Sequence, residues 1–256
     1  MIGRMIPSVI DPAAPQYNAT LVHRADQHGT LAYFSVRFDG DATPFVPGQY
    51  MTIGIVANGK LLQRPYSVAS DPHDAGSAGY EFLVRLLPDG RFTPVLWQLR
   101  EGHRVRMIGP KGKLTLEPQD DRVHLFVSSG TGCAPFVSML RSLLRTKQPR
   151  RCVFLNGVSY ESDLAYRAIL EGWQAKGEYP LTYVPTVSRP GEASNAGWRG
   201  RTGRVESIVA SVCDEQQLEP SNVAVYICGQ PAMAEAVEAL LVARGFAKEQ
   251  MRKEVY

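Results

Sequence analysis

The chain has 256 residues, a net charge of +3, and 44% hydrophobic against 21% charged residues. That is a folded globular composition, too short for three domains at roughly 100–200 residues each and suited to one large or two modest ones. So small a charge gives no electrostatic case for nucleic acid, and no apolar run approaches the roughly 18 residues of a membrane-spanning helix.

The opening MIGRMIPSVIDPAAP is broken by charges and prolines and lacks an apolar leader core, which makes a cytoplasmic location the expectation. Up to about Leu116 the chain reads as strands: Tyr17–Ala25, Leu31–Phe38, Gln49–Val56, Leu62–Ala69 and Glu81–Leu87, rich in β-branched or aromatic residues. Turn formers separate them. Asn58-Gly59 is the strongest hairpin signal, because both residues tolerate positive φ. Thr93–Leu99 reads as a helix that Thr93 can cap. This half is expected to be an antiparallel β-barrel or sandwich.

From about Asp120 strands and helices alternate. Val123–Ser128, Cys152–Val158, Leu181–Val187 and Val223–Cys228 are apolar strands, and Ala134–Arg145, Asp163–Lys176 and Ala232–Arg244 are helical runs, with Val205–Val212 continuing the alternation. Pro231 and Gly245 bracket the last helix. The pattern predicts a doubly wound parallel sheet. The expected domains are 1–118, antiparallel β, and 119–256, α/β, with ligands meeting at a cleft between them.

Cys133, Cys152, Cys213 and Cys228 stand alone with no CxxC pair, so neither zinc nor an iron–sulfur cluster is expected. His23, His28, His73, His103 and His124 have no metal-ligand spacing and read as surface or strand residues. Redox chemistry would therefore need a bound organic cofactor. Arg64-Pro65-Tyr66-Ser67 offers a cation, a planar ring and a hydroxyl at a strand end; the plain alternative is an exposed edge strand. Ser128-Ser129-Gly130-Thr131-Gly132-Cys133-Ala134-Pro135 runs from a strand into a helix, where backbone amides can face an anion; a tight turn alone would read the same. Tyr226-Ile227-Cys228-Gly229 closes a later strand, and Lys253-Glu254-Val255-Tyr256 ends the chain on an aromatic, either frayed or docked on something flat.

In this order the motifs resemble the ferredoxin/flavodoxin–NADP⁺ reductase family over most of the chain. The flavin signature Arg-x-Tyr-Ser stands as Arg64-Pro65-Tyr66-Ser67. A second flavin segment runs from Leu83 to Thr93, the GTGxAPF loop from Gly130 to Phe136, and the CG motif is Cys228-Gly229. The resemblance implies an FAD-binding barrel followed by an NADP(H)-binding α/β domain. Arg64, Pro65, Tyr66, Ser67, Val84, Arg91, Phe92, Thr93 and Thr131 would hold FAD. Tyr66 would lie on the isoalloxazine, Arg64 and the Arg91–Thr93 amides and hydroxyl would hold the pyrophosphate, and Ser67 would sit near N5. Tyr256 would stack on the face opposite Tyr66. Gly130, Thr131, Gly132, Val158, Ser159, Ser188, Arg189, Arg204, Cys228 and Gly229 would hold NADP(H). Ser67, Cys228, Glu254 and Tyr256 would carry the catalytic positions.

The implied activity is exchange of hydride between NADPH and FAD, coupled to one-electron transfer with ferredoxin or flavodoxin, by a monomer. Alternatives are an NADH-dependent reductase component of an oxygenase and a non-catalytic flavin-binding subunit, the latter disfavoured by the intact Ser67, Cys228 and Glu254. Ser159 stands where bacterial relatives often carry a phosphate-binding arginine, and Cys133 replaces a branched aliphatic residue. Arg199 and Arg201 leave the alignment of Arg204 open. Lys111, Lys113, Arg37 and Arg100 are either a face for an acidic carrier or solvated surface.

Overall fold

The computed structural model describes residues 9–148, 150–177 and 179–256. The first eight residues, on which the expectation of no leader partly rests, lie outside them. The chain divides into two units, Met1–Thr115 and Leu116–Tyr256, where the sequence reading places a boundary after residue 118.

In the first unit the described strands are β1 (Ala19–His28), β2 (Leu31–Phe38), β3 (Tyr50–Ala57), β4 (Lys60–Ser67), β5 (Tyr80–Arg85) and β6 (Arg104–Lys111), with helix α1 (Thr93–Leu96) before β6. They pair antiparallel in the order β4-β3-β6-β1-β2-β5. The β3–β4 hairpin turns at Asn58 (φ 51°) and Gly59 (φ 71°), the doubly positive turn whose twist matches its flanking strands. That turn sets the register Ala57↔Lys60 through Tyr50↔Ser67. Met51, Ile53 and Ile55 alternate inward to meet Leu21, Phe34 and Phe82 in the core. Burying each such side chain contributes about 1.5–3 kcal/mol. β4 ends the pairing order, so Pro65, which has no N–H for a ladder, falls on an edge strand where it is tolerated. Just past β4, Ala69 N donates to Glu81 O at 2.8 Å. This draws the two ends of the sheet together into a barrel.

Two expectations for this unit need correcting. The helix stops at Leu96 rather than Leu99, and Thr93 does not cap it. Its hydroxyl turns back to Leu87, accepting from the amide at 2.9 Å and donating to the carbonyl at 3.2 Å, so it fastens the preceding loop. Strand β6 is additional: Arg104 and Arg106 mask its alternation, although Val105 and Met107 face the core between them.

The second unit runs β7 (Val123–Ser129), α2 (Ala134–Arg145), β8 (Cys152–Val158), α3 (Arg167–Lys176), β9 (Leu181–Val187), β10 (Arg201–Thr202), α4 (Val205–Gln216), β11 (Val223–Gly229), α5 (Pro231–Ala243) and β12 (Met251–Val255). All its strand pairs are parallel, in the order β10-β9-β8-β7-β11-β12. Strand alternation sorts two cores. Leu125, Val127, Val153, Leu155, Val225 and Ile227 pack with residues of α4 and α5. Phe126, Phe154 and Tyr226 turn to the other face, where Phe136 of α2 stacks on Phe126 with centroids 4.8 Å apart. His124 shares that face, fully buried and stacked on Tyr226 at 5.6 Å.

Helix α3 begins at Arg167, not Asp163, because Glu161–Asp163 forms a separate 3-10 turn and Leu164 (ψ 72°) breaks the path. Met251–Val255, not assigned to an element by the sequence reading, is a strand paired in register with β11.

Candidate functional site

In the first unit, Arg64 is exposed on β4, and Tyr66 on the same side of the strand is half-buried beside Phe92, with ring centroids 6.0 Å apart. Burial raises the Tyr66 phenol well above its ordinary pKa, against the opposing pull of Arg64. The ring is thus a fixed neutral plate with a cation beside it. The backbone at Arg91–Thr93 starts α1, and the first amides of a helix have no partner within it. Next to it opens a cleft of about 550 Å³, lined by Lys60, Leu62, Asp89, Gly90, Arg91 and Val95 among others. Its volume is that of a cofactor site, and its mixture of cations, free amides and aliphatic floor suits a flat heterocycle joined to a pyrophosphate. These residues fit FAD. The side chains of Val84 and Phe92 belong to the core, leaving their backbone to face a ligand. The Thr93 hydroxyl is engaged with Leu87, so at a phosphate Thr93 offers its amide instead.

In the second unit the sheet order places β7 beside β11, with β8 on its other side. Chain direction across the sheet reverses there, and open α/β sheets take ligands at such a point, outside the carboxyl ends of the strands. The loops after β7 and β11 interlock at this place. A Cβ on Gly132 would lie 2.3 Å from the Cys228 carbonyl oxygen, and one on Gly229 would lie 2.3 Å from Ser129 Oγ. Ser129 Oγ also accepts from Gln230 N at 3.1 Å. Only glycine permits this approach, which leaves Gly130, Thr131, Gly132 and Gly229 as one surface of backbone suited to a pyrophosphate.

The tail closes the same surface. Parallel pairing sets Glu254 opposite Cys228. Tyr256 donates its hydroxyl to Ser129 O at 2.9 Å and accepts from Thr131 Oγ1 at 3.1 Å, and its amide reaches Gly229 O at 3.3 Å. Cys228 is fully buried, and burial, with the nearby Glu254 charge, holds its thiol well above the usual range. Any role for Cys228 is therefore as a neutral packing wall. Cys133, Cys152 and Cys213 are buried as well, and burial pushes the first two up to about 12. Among the described residues no group of three His, Cys, Asp or Glu is placed to hold a metal ion.

The ends of β8, β9 and β10 form the second part of the site. β10 pairs with β9 as Arg201↔Thr186 and Thr202↔Val187, so Arg189 and Arg204, each two residues beyond the last pair, leave the sheet together. Arg201 binds Glu215 and Ser211, and Arg199 donates to the Ala196 and Trp198 carbonyls, both at 2.9 Å. Arg204 is exposed, and its guanidinium has no bonding partner among the described residues. Of the three arginines, Arg199 and Arg201 are thus engaged within the fold, and Arg204 is not. Ser188 N bonds Val158 O at 2.9 Å, while the Val158 side chain packs with Leu164, Val187 and Trp198.

Sequence reading missed Asn195. It is buried, accepts from Glu161 N at 2.8 Å, and donates to Ser159 O at 3.1 Å and Arg189 O at 2.8 Å. It ties together the loops that carry Ser159 and Arg189. Nothing in Ala-Ser-Asn-Ala signals this, because its partners lie as far as 36 residues away. Arg100 is exposed, and its guanidinium donates to the Trp97 and Leu99 carbonyls at 3.1 and 3.0 Å.

Comparison with known proteins follows the same division. Residues 19–116 match the family described as oxidoreductase FAD-binding domain, and residues 126–239 match oxidoreductase NAD-binding domain. The chain is 35% identical to ferredoxin--NADP reductase B of Sorangium cellulosum over 82% of its length and 83% of that protein's. It is 30% identical to the reductase component of the naphthalene 1,2-dioxygenase system of Pseudomonas putida over 75% of its own length, spanning 55% of that relative. Among solved structures, a ferredoxin NADP⁺ reductase from Neisseria gonorrhoeae with bound FAD and NADP shares the fold, with TM-score 0.80 at 20% identity over 94% of this chain and 98% of that one.

Proposed function

The chain belongs to the ferredoxin–NADP reductase family of FAD-dependent oxidoreductases, and on that premise we propose that it exchanges reducing equivalents between NADPH and a separate ferredoxin- or flavodoxin-type carrier. FAD, when bound, would supply the chemistry that links two-electron hydride exchange to one-electron transfer. The protein's part is binding and orientation.

In this reading Tyr66 gives the isoalloxazine a flat apolar support, and Arg64 binds the pyrophosphate through its planar fork. The Arg91–Thr93 amides hold the other phosphate, and Ser67 places a hydroxyl donor near N5. In the second unit the Gly130–Gly132 and Cys228–Gly229 backbone takes the NADPH pyrophosphate. Glu254 and the neutral Cys228 border the nicotinamide, excluding water from the side they cover. Tyr256, hydrogen-bonded to Ser129 and Thr131, rests on the loop that receives the dinucleotide. Ser188, Arg189 and Arg204 meet the adenosine 2′-phosphate.

The observation that carries the NADPH assignment is the unengaged Arg204 guanidinium beside Arg189 at the strand ends. The carrier assignment is supported by the Sorangium relative's name and the extent of that match. A second reading, an NADH-dependent reductase of an oxygenase system, is favoured by Ser159 in place of an arginine and by the Pseudomonas relative. Stopped-flow reduction by NADPH and NADH side by side, followed by reoxidation with ferredoxin and with flavodoxin, separates the two. Faster reduction by NADPH and prompt reoxidation by either carrier is the expected result. Equal or faster reduction by NADH would replace the first reading with the second.

A further inference from the structure

The loop after β9 holds a cation and an anion that bind each other. Arg189 donates from Nη1 to the Tyr160 hydroxyl at 2.7 Å and pairs with Glu192 Oε1 at 3.3 Å. Tyr160 donates in turn to Glu192 Oε2 at 2.9 Å. The guanidinium also lies 5.3 Å from the centroid of the Tyr160 ring. Three side chains from two loops therefore close a cycle. Its members remain reachable, with 53% of the Arg189 side chain and 49% of the Glu192 side chain open to solvent.

The backbone beneath this cycle is fixed. Asn195 binds Ser159 O, Arg189 O and Glu161 N, and Glu192 N donates to Arg189 O at 3.2 Å. Arg189, Glu192 and Tyr160 are thus presented together in the free protein.

Dinucleotide sites on α/β sheets tell NADP from NAD at the adenosine ribose: arginine accommodates a 2′-phosphate, and an acidic side chain accepts from a 2′-hydroxyl. Here both residue types stand on one loop and in contact. We propose that Glu192 is a specificity-determining residue of this site, held with Tyr160 against Arg189 so that the chain accepts both NADPH and NADH. The proposal rests on the assignment of Arg189 to the adenosine ribose made above.

The 2′-phosphate of NADPH must displace Glu192 from Arg189 and then tolerates a carboxylate at close range. The 2′-hydroxyl of NADH donates to Glu192 while Arg189 stays neutralised in the pair. One side chain therefore opposes the first nucleotide and supports the second, and Arg204 remains the unopposed cation for the phosphate. An exposed ion pair of this kind changes a binding constant by up to about fivefold. Glu192→Gln should therefore tighten NADPH and weaken NADH, each by roughly two- to fivefold, moving the ratio of kcat/KM values by about four- to twenty-five-fold toward NADPH.

The test uses the full-length flavin-loaded protein and the variants Glu192→Gln, Tyr160→Phe and Arg189→Ala. Glutamine keeps the shape of Glu192 and its acceptor for Tyr160, so folding is not at stake. Steady-state ferricyanide reduction with each nucleotide gives the ratio. Calorimetric titration with 2′-phospho-AMP and with AMP reads the same preference without any electron transfer. Opposite shifts for the two ligands in Glu192→Gln, and a smaller shift in the same sense in Tyr160→Phe, are expected. Equal changes for both ligands, or no change, while Arg189→Ala selectively weakens NADPH and 2′-phospho-AMP, would overturn the role of Glu192 and leave the site reading standing. An Arg189→Ala variant that weakens neither would defeat the site reading and this proposal together.

Discussion

Replacing Gly132 with alanine probes the interlock between the loops after β7 and β11. The added methyl would sit 2.3 Å from the Cys228 carbonyl oxygen, 2.7 Å from its carbon and 3.0 Å from Gly229 N. All three atoms are backbone, at the end of a strand flanked on both sides, so no side-chain rotation relieves them. Comfortable separation is about 3.5 Å, which requires a displacement of roughly 1 Å. Forcing an extra methyl into packed surroundings costs about 1–3 kcal/mol, and for a unit of this size that lowers Tm by roughly 2–4 °C per kcal/mol. The larger effect falls on catalysis, because a 1 Å misplacement of reacting groups costs about 10²-fold. Gly132→Ala should thus retain FAD, melt several degrees early, and lose about two orders of magnitude in kcat/KM for NADPH with ferricyanide as acceptor. FAD content by absorbance, melting by circular dichroism and steady-state kinetics measure the three. Wild-type melting together with wild-type kcat/KM would refute the interlock and the placement of the dinucleotide on it.

Arg64→Ala should release FAD on dilution, with Kd raised about tenfold to a hundredfold for a lost charge-assisted contact, and Arg64→Lys should recover part of it; fluorescence of freed flavin reads both. Arg204→Ala should raise the NADPH KM by about two- to fivefold while NADH kinetics stay within error; parallel changes with both nucleotides would make the residue structural. His124 is held below its ordinary value of 6.5, chiefly by burial, with Arg150 and Arg122 adding to the effect and the Arg122 carbonyl and Asp120 opposing it. The unfolded chain then takes up a proton that the folded chain resists, so stability is full above about pH 6.5 and falls as pH drops toward the folded value. Tm measured from about pH 8 to pH 5 should decline in the wild type and decline less in His124→Phe; identical slopes would show that another group governs the acid limb.

Much of the architecture is written in local signals. Asn58-Gly59 names its own turn, Pro231 and Gly245 bracket α5, and the apolar runs of β8 and β9 match their strands end to end. The flavin and dinucleotide motifs are local as well, since a strand end and the turn after it are contiguous in sequence. What sequence reading lost was set by distant partners. The Thr93 hydroxyl has an obvious local use as a cap, but the loop at Leu87 competes for it and wins. Three arginines between residues 199 and 204 look alike until Glu215 claims one and nearby carbonyls another. Arg189 reads as a free phosphate ligand because Tyr160, 29 residues earlier, is invisible as its neighbour. β12 stayed hidden because five polar-leaning residues become a strand only when β11 offers an edge.

The four buried thiols have a practical consequence for studying the protein in solution. Burial raises the thiols of Cys133, Cys152, Cys213 and Cys228 above their usual range, so little reactive thiolate is present at neutral pH. Maleimides and iodoacetamides should find almost nothing to modify in the native fold. A single cysteine introduced at Lys253 on β12, or in the loop at Glu192, would then be labelled against a silent background, with no need to remove the natural four. A fluorophore there would report movement of the tail or of the ribose loop as nucleotide is added.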